Sequence, residues 1–137
     1  MPVYSRRQWL TTVGSVALLP HLSARAAEKE IRGAFIIMST PYTTGNQVDF
    51  NALAYQVDFL DRCGIHGLVW PQNSSEQRYL SKEERLQGFN VLAQAAKNKR
   101  PALFLGVQGN DTNDMLEYAR HAEALAPDGM IAIPPTE

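Results

Sequence analysis

The sequence has 137 residues, of which 45% are hydrophobic and 20% are charged, so its composition is that of one ordinary globular domain at most. This composition excludes a disordered chain and a collagen-like repeat. The formal net charge of -1 provides no basic surface for nucleic acid or anionic lipid, so neither is an expected partner.

The first 26 residues differ in composition from the rest. The segment SRRQWL carries paired arginines ahead of an apolar stretch at residues 10–19, and Ala24 and Ala26 form an A-x-A cleavage pattern. This arrangement resembles a twin-arginine export signal. A membrane span needs about 20 apolar residues, more than this stretch offers, although an uncleaved anchor and a plain N-terminal helix are alternatives.

We therefore expect residues 1–26 to be an export signal and residues 27–32 to be a linker. The mature protein would be periplasmic or secreted, with no stable membrane partner after cleavage.

Cys63 is the only cysteine, so no internal disulfide can form in an oxidising compartment. Its place near the end of an apparent helix predicts a small buried side chain, and the absence of a second Cys/His pair beside Cys63 and His66 predicts no metal site. No cofactor is expected.

Four short apolar runs follow at intervals of roughly 30 residues, as expected for parallel strands buried on both faces. They are AFIIM (34–38), GLVW (67–70), ALFLGV (102–107) and MIAI (130–133).

The segments between these runs carry helix signals. Asp49 can cap a first helix that Gly64 ends, Ser81 and Glu84 form a capping box for a second, and a third begins near Asp111 or Thr112. The predicted apolar faces are Phe50, Leu53, Val57 and Leu60 in the first helix, Leu86, Phe89, Ala93 and Ala96 in the second, and Met115, Leu116, Ala119 and Ala122 in the third.

Strands that alternate with helices in this way predict a parallel α/β fold whose carboxyl-end loops lie on one side of the sheet. Those loops carry polar residues, among them Ser39, Thr40 and Tyr42 after the first strand and residues 72–76 after the second. Ligands bind at this side in such folds. A dinucleotide-binding sheet would need a G-x-G-x-x-G turn after the first strand, which is absent, so the (β/α)8 barrel is favoured.

Three segments resemble the dihydrodipicolinate synthase and N-acetylneuraminate lyase family. GAFIIMSTPYTTGNQVDFNAL is similar to the family's opening strand and its T-P-[FY] turn, and GIHGLVWPQNSSEQRYLSKEER is similar to the segment that contains G-[TS]-T-G-E. PALFLGVQGNDTNDMLEYARHAEALAPDGMIAIPP resembles the family's third strand and the helix and strand after it. The likeness covers residues 33–137, and it implies that this part is the N-terminal half of a (β/α)8 barrel.

The resemblance implies a lyase that acts on pyruvate or a related 2-oxo acid through a Schiff base. In the family, the loop after the second strand holds the substrate carboxylate, and its G-T-T-G-E motif falls on residues 72–76. Asn73, Ser74 and Ser75 are therefore the predicted substrate-binding residues, with Ser75 in place of a glycine. The Schiff-base lysine would lie on the sixth strand, outside this chain, so no catalytic residue is predicted within it.

The sequence departs from the family's pattern at its end. The family's fourth strand usually ends in T-P-Y-Y, where a tyrosine contributes to a proton relay, whereas this chain reads Pro134, Pro135, Thr136 and Glu137. We expect that a full-length form is a homo-oligomer. The alternative is a truncated, catalytically inactive half-barrel, which would be unstable as a monomer and would either pair with a second copy or belong to a longer product.

Overall fold

A computed structural model of the chain describes Lys29 and residues 31–134. The predicted export signal lies outside the described residues. The elements are, in chain order, β1 (Phe35–Ile37), α1 (Phe50–Arg62), β2 (Gly67–Trp70), two short 3₁₀ helices (Asn73–Ser75 and Gln77–Tyr79), α2 (Lys82–Ala96), β3 (Ala102–Gly106), α3 (Thr112–Ala124) and β4 (Gly129–Ile131).

The four strands form one parallel sheet in the order β1-β2-β3-β4. Because each strand lies beside the next one in the chain and has the same direction, every carboxyl end is at one edge of the sheet. This arrangement of four strands and their helices confirms the predicted first half of a (β/α)8 barrel. Three of the four observed strands are one to two residues shorter than the apolar runs that predicted them, and β2 matches its run.

Side chains cap the amino ends of the three helices as the sequence predicted. The backbone N–H of Ala52 donates to Asp49 Oδ1 (2.9 Å), and Ser81 and Glu84 form a reciprocal capping box. Gly64, with a φ of 76°, follows the last turn of α1. In the part of the chain that the structure describes, no helix is long and apolar enough to cross a membrane.

The core lies between one face of the sheet and the three helices. Alternate strand residues point toward the helices, and this cluster includes Leu68, Trp70, Leu103 and Leu105 from the strands. Trp70 is fully buried, and its indole ring packs edge-on to Phe89 of α2. The opposite face of the sheet, which carries Phe35 and Phe104 in an edge-to-face contact, would form the interior of a closed barrel.

Two side-chain predictions are wrong. Cys63 is exposed, because it caps the end of α1 and lies beside, not on, the stripe of Leu53, Val57 and Leu60. Leu116 is 47% exposed, and Tyr118 is buried in its place. Two residues span about 200° around an α-helix, so Leu116 points away from the core when Tyr118 points toward it.

Candidate functional site

Polar segments from three strands meet at the carboxyl edge of the sheet. Thr40 follows β1, the loop at residues 71–80 follows β2, and Gln108 follows β3. The loop after β2 consists of the two 3₁₀ helices joined by Glu76, which takes the left-handed conformation with a φ of 57°. The left-handed residue is thus Glu76, so Ser75 occupies the family's glycine position without needing a positive φ.

A buried hydrogen-bond network fixes this loop to the ends of β1 and β2. The Ser75 hydroxyl donates to the carbonyl of Met38 (2.6 Å) and accepts from the backbone N–H of Gln72 (3.1 Å). The Thr40 hydroxyl donates to the carbonyl of Ser75 (2.6 Å) and accepts from the indole N–H of Trp70 (3.0 Å). Satisfied buried networks of this kind hold a loop in one conformation.

The three predicted substrate-binding residues occupy unequal positions in the loop. Asn73 and Ser74 are exposed, and the Asn73 side-chain oxygen accepts from the Gln77 amide (3.0 Å). Ser75 has no exposed surface, and its hydroxyl is already engaged with Met38 and Gln72. Ser75 therefore supports the loop from beneath, while Asn73 and Ser74 present their polar groups to solvent. Substrate binding by these residues stays a prediction.

The loop after β2 also lies directly against the end of β3. A Cβ atom on Gly106 would be 1.9 Å from the carbonyl oxygen of Pro71, so only glycine permits this approach. The Gln108 amide nitrogen donates to the same carbonyl at 3.5 Å. Among the described residues, the buried amide nitrogen of Gln72 and amide oxygen of Gln108 have no partner, which leaves a donor and an acceptor for a further polar group.

Arg85 supports the end of β3 from below. Its guanidinium donates to the carbonyls of Gly106 (3.2 Å) and Gln108 (2.6 Å) and lies 3.8 Å from the centre of the Tyr118 ring. Burial lowers the pKa of Arg85 from its ordinary value. The sequence offered a signal for this buried cation, because Arg85 is in phase with the buried Phe89, Leu92 and Ala96 on α2.

A cavity of about 230 Å³ lies beside Arg85, between the loop after β2 and the start of α3. Its lining is largely polar and charged: Gln77, Arg78, Leu80, Lys82, Arg85, Gln108, Gly109, Asn110, Asp114 and Tyr118. The cavity adjoins the carboxyl edge and extends the polar surface of the site toward the helices.

Tyr42 and Glu76 meet at the same edge from different strands. Burial raises the pKa of Tyr42, and the carboxylates of Glu76 and Glu84 raise it further, Glu76 also through a hydrogen bond. Tyr42 is therefore a neutral phenol through the physiological range. The sequence places both residues at this edge, but it does not predict the effect of Glu76 on the pKa of Tyr42.

All four lysines of the sequence are in the described residues, and none follows a strand at the carboxyl edge. Lys29 donates to the carbonyl of Pro101 (2.8 Å) and to Asp128 (3.1 Å) at the opposite edge. Lys82 pairs with Glu117, Lys99 pairs with Asp58, and Lys97 follows α2. Within Lys29 and residues 31–134, no three His, Cys, Asp or Glu side chains come together as a metal site.

Comparisons with known proteins agree with this architecture. Among curated proteins, the chain is 27% identical over 106 residues to an uncharacterised DapA-like lyase of Pyrococcus abyssi, covering 77% of this chain and 35% of the relative. It is 31% identical over 119 residues to the 4-hydroxy-tetrahydrodipicolinate synthase of Staphylococcus haemolyticus, covering 85% of this chain and 36% of that protein. The chain thus spans just over a third of these relatives.

Solved structures give the same result. Dihydrodipicolinate synthase from Aquifex aeolicus superimposes with a TM-score of 0.71 at 23% identity, over 77% of this chain and 35% of that one. A prophage protein of the dihydrodipicolinic acid synthase family from Escherichia coli, solved in complex with pyruvate, gives 0.69 at 26% identity, over 74% and 34%. The model of the dihydrodipicolinate synthetase family matches residues 30–136. This chain belongs to the dihydrodipicolinate synthetase family.

Proposed function

We propose that this chain supplies the first four strands of an exported lyase that acts on a pyruvate-type 2-oxo acid through a Schiff base, with the lysine located outside this chain. Family membership supports the reaction class, and pyruvate in a relative that is 26% identical supports the substrate class. The chain spans only 35% of the length of the Pyrococcus relative and of the Aquifex structure, so we assign the activity to a longer protein or assembly.

The observation that carries the proposal is the fixed loop at residues 72–76. A carboxylate only accepts hydrogen bonds, so it is bound by clustered donors. The loop presents the Asn73 amide and the Ser74 hydroxyl at the carboxyl edge, where ligands of (β/α)8 barrels bind. The buried contacts of Ser75 and Thr40 hold these donors in place before any ligand arrives, which lowers the entropic cost of binding.

The positions of the lysines favour a second statement, that the 137-residue chain alone is inactive. A lysine nucleophile must be close to the bound substrate and activated by desolvation or a neighbouring cation. Lys29 lies at the wrong edge of the sheet, and Lys82 and Lys99 pair with carboxylates on the helix surface. These ion pairs raise the pKa of Lys82 and of Lys99, which disfavours the neutral amine.

Borohydride trapping tests both statements. The native protein, isolated from the cells that make it, is incubated with pyruvate and borohydride and its intact mass is measured, beside the 137-residue chain treated identically. We expect the native form to extend beyond Glu137, to lack residues 1–26 and to gain the mass of one reduced pyruvate. The 137-residue chain should gain no mass. A longer form that gains nothing would refute the lyase, and retention of residues 1–26 would refute export by a cleaved signal.

The contribution of the loop is tested in the same longer form. Ser74→Ala should raise the pyruvate concentration needed for half-maximal trapping by about 10-fold, as expected for one hydrogen bond to a charged group. Gln87→Ala, a change at an exposed position of α2 outside the loop and the cavity, is the control and should leave that concentration unchanged.

A further inference from the structure

Arg85 is a buried cation without a counter-ion. The residue is 6% exposed, and its guanidinium is held by the carbonyls of Gly106 and Gln108 and by the ring of Tyr118. In the part of the chain that the structure describes, no carboxylate forms an ion pair with it. Arginine stays ionised in proteins, and a buried charge is costly unless an opposite charge or hydrogen bonds compensate it. Its Nε has no partner among these residues, so the compensation is incomplete.

The cavity of about 230 Å³ beside Arg85 has a cationic lining. Its charged residues are three cations and one acid: Arg78, Lys82, Arg85 and Asp114. The Asp114 carboxylate accepts from the Asn110 amide (3.3 Å), and Lys82 pairs with Glu117. Within Lys29 and residues 31–134, neither Arg78 nor Arg85 forms an ion pair. The lining therefore has an excess of positive charge.

Two amides of the same lining add acceptors to these cations. Among the described residues, the buried Oε1 atoms of Gln77 and Gln108 have no hydrogen-bond partner. The Gln108 amide is oriented by its nitrogen, which donates to the carbonyl of Pro71 (3.5 Å). An amide oxygen only accepts, so its partner must be an O–H or N–H group. A ligand that suits the whole lining carries a negative charge for the arginines and a donor for the amide oxygens.

We propose that this cavity binds a compact organic anion that carries hydroxyl groups, either a hydroxy acid or a polyol phosphate. The anionic group would lie beside Arg85, and the hydroxyls would donate to Gln77 and Gln108. An ammonium could also donate to these oxygens, but it would meet three cationic side chains, so the lining disfavours amino acids. Sites for drug-sized ligands have volumes of about 300–1,000 Å³, so this smaller cavity restricts the ligand to a few carbon atoms.

The cavity is formed within this chain. Its lining comes from the loop after β2, the first turn of α2, the segment after β3 and α3. All of these belong to the β2–α2 and β3–α3 units, so no strand beside β1 or β4 is needed to form it. Asn73 and Ser74, the proposed donors to the substrate carboxylate, do not line it. The proposal therefore adds a second ligand site and does not depend on the lyase activity.

Isothermal titration calorimetry of the longer form tests the ligand class with compounds that differ in one kind of group. Glycerate has a carboxylate and hydroxyls, whereas glycerol lacks the charge and propionate lacks the hydroxyls. We expect saturable binding of glycerate and at least about 10-fold weaker binding of glycerol and of propionate. Serine, which has an ammonium in place of one hydroxyl of glycerate, should also bind at least about 10-fold more weakly. Glycerol 3-phosphate is compared with glycerate, and the tighter ligand of the two identifies the anionic group.

Charge reversal assigns the binding to the cavity. Arg78→Glu should weaken glycerate binding by about 5-fold or more, because repulsion replaces attraction at an exposed part of the lining. Arg120→Glu makes the same change of charge at an exposed position of α3 outside the lining, and it should have no effect.

Two further variants separate this site from the loop and from the fold. Arg85→Leu should weaken glycerate binding by at least about 10-fold. Its circular dichroism is compared with that of the native protein, because Arg85 also supports the end of β3. Ser74→Ala, which changes the proposed substrate loop, should leave glycerate binding unchanged.

Four outcomes would overturn the proposal. Equal affinities for glycerate and glycerol would show that the lining does not recognise charge. Serine that binds as tightly as glycerate would show that the amide oxygens accept from an ammonium. A larger effect of Ser74→Ala than of Arg78→Glu would place the anion on the loop after β2. Undetectable binding of both glycerate and glycerol 3-phosphate would exclude the site.

Discussion

Removal of the Ser75 hydroxyl is the sharpest test of how the loop after β2 is held. Ser75→Ala takes away one donor and one acceptor at a site with no solvent exposure. The carbonyl of Met38 and the N–H of Gln72 lose the partners that lie at 2.6 and 3.1 Å. An unpaired buried polar group costs about 1–3 kcal/mol, so we expect the free energy of unfolding to fall by about 2–4 kcal/mol.

The neighbouring serine provides a matched control. Ser74 is exposed in the same 3₁₀ helix, so Ser74→Ala should change the free energy of unfolding by less than about 0.5 kcal/mol. Urea unfolding followed by tryptophan fluorescence measures both variants, because Trp70 is buried and bonded to Thr40 in the same network. Protein concentration is held constant, since association shifts the midpoint. Equal midpoints for the two variants would refute the structural role of Ser75.

Two other predictions concern α2 and the edge phenol. Gly88→Ala should lower the melting temperature, because the added Cβ would lie 2.3 Å from the Trp70 ring and overpacking costs about 1–3 kcal/mol, more than the helix preference of alanine of about 1 kcal/mol. Gln87→Ala is the control at an exposed position. Equal melting temperatures for the two variants would contradict the clash. Glu76→Gln should move the alkaline phenolate titration of Tyr42 to lower pH; an unmoved absorbance titration would exclude this pairing.

The sign of the Tyr42 effect follows from linkage. The folded chain holds the phenol proton more tightly than the unfolded chain does, because burial and the nearby carboxylates raise the pKa of Tyr42. Its contribution to stability is complete below the unfolded pKa of about 10 and is lost as the pH rises through the folded pKa. A decrease in stability at lower pH would therefore have another cause.

The elements of the fold were predictable from local signals. Asp49, Ser81 and Asp111 begin helices through contacts within three residues, and Gly64 ends one through its own backbone. Those contacts are determined by short stretches of sequence, so they are readable without the fold. The order and direction of the strands followed from the spacing of the apolar runs.

The internal structure of the site was not predictable in the same way. Ser74 and Ser75 are adjacent and chemically identical, yet one is exposed and the other is buried against Met38, 37 positions earlier in the chain. Nothing local distinguishes the two, because the difference arises when the ends of β1 and β2 come together. The exposure of Leu116 has the same origin, since the rotation of α3 on the sheet is set by Tyr118 packing against Arg85 and Phe89.

The contacts that position the loop lie within this chain, whereas the proposed nucleophile does not. Trp70 ends β2, and Thr40 and Ser75 lie in the segments that follow β1 and β2. Gly106 and Arg85 fix the end of the third strand. The carboxylate-binding side of the proposed site therefore depends on the pairing of β1, β2 and β3 and not on closure of the barrel. Closure by any partner would then add chemistry to a surface that is already ordered, so Ser75→Ala should destabilise the 137-residue chain and a longer form by similar amounts.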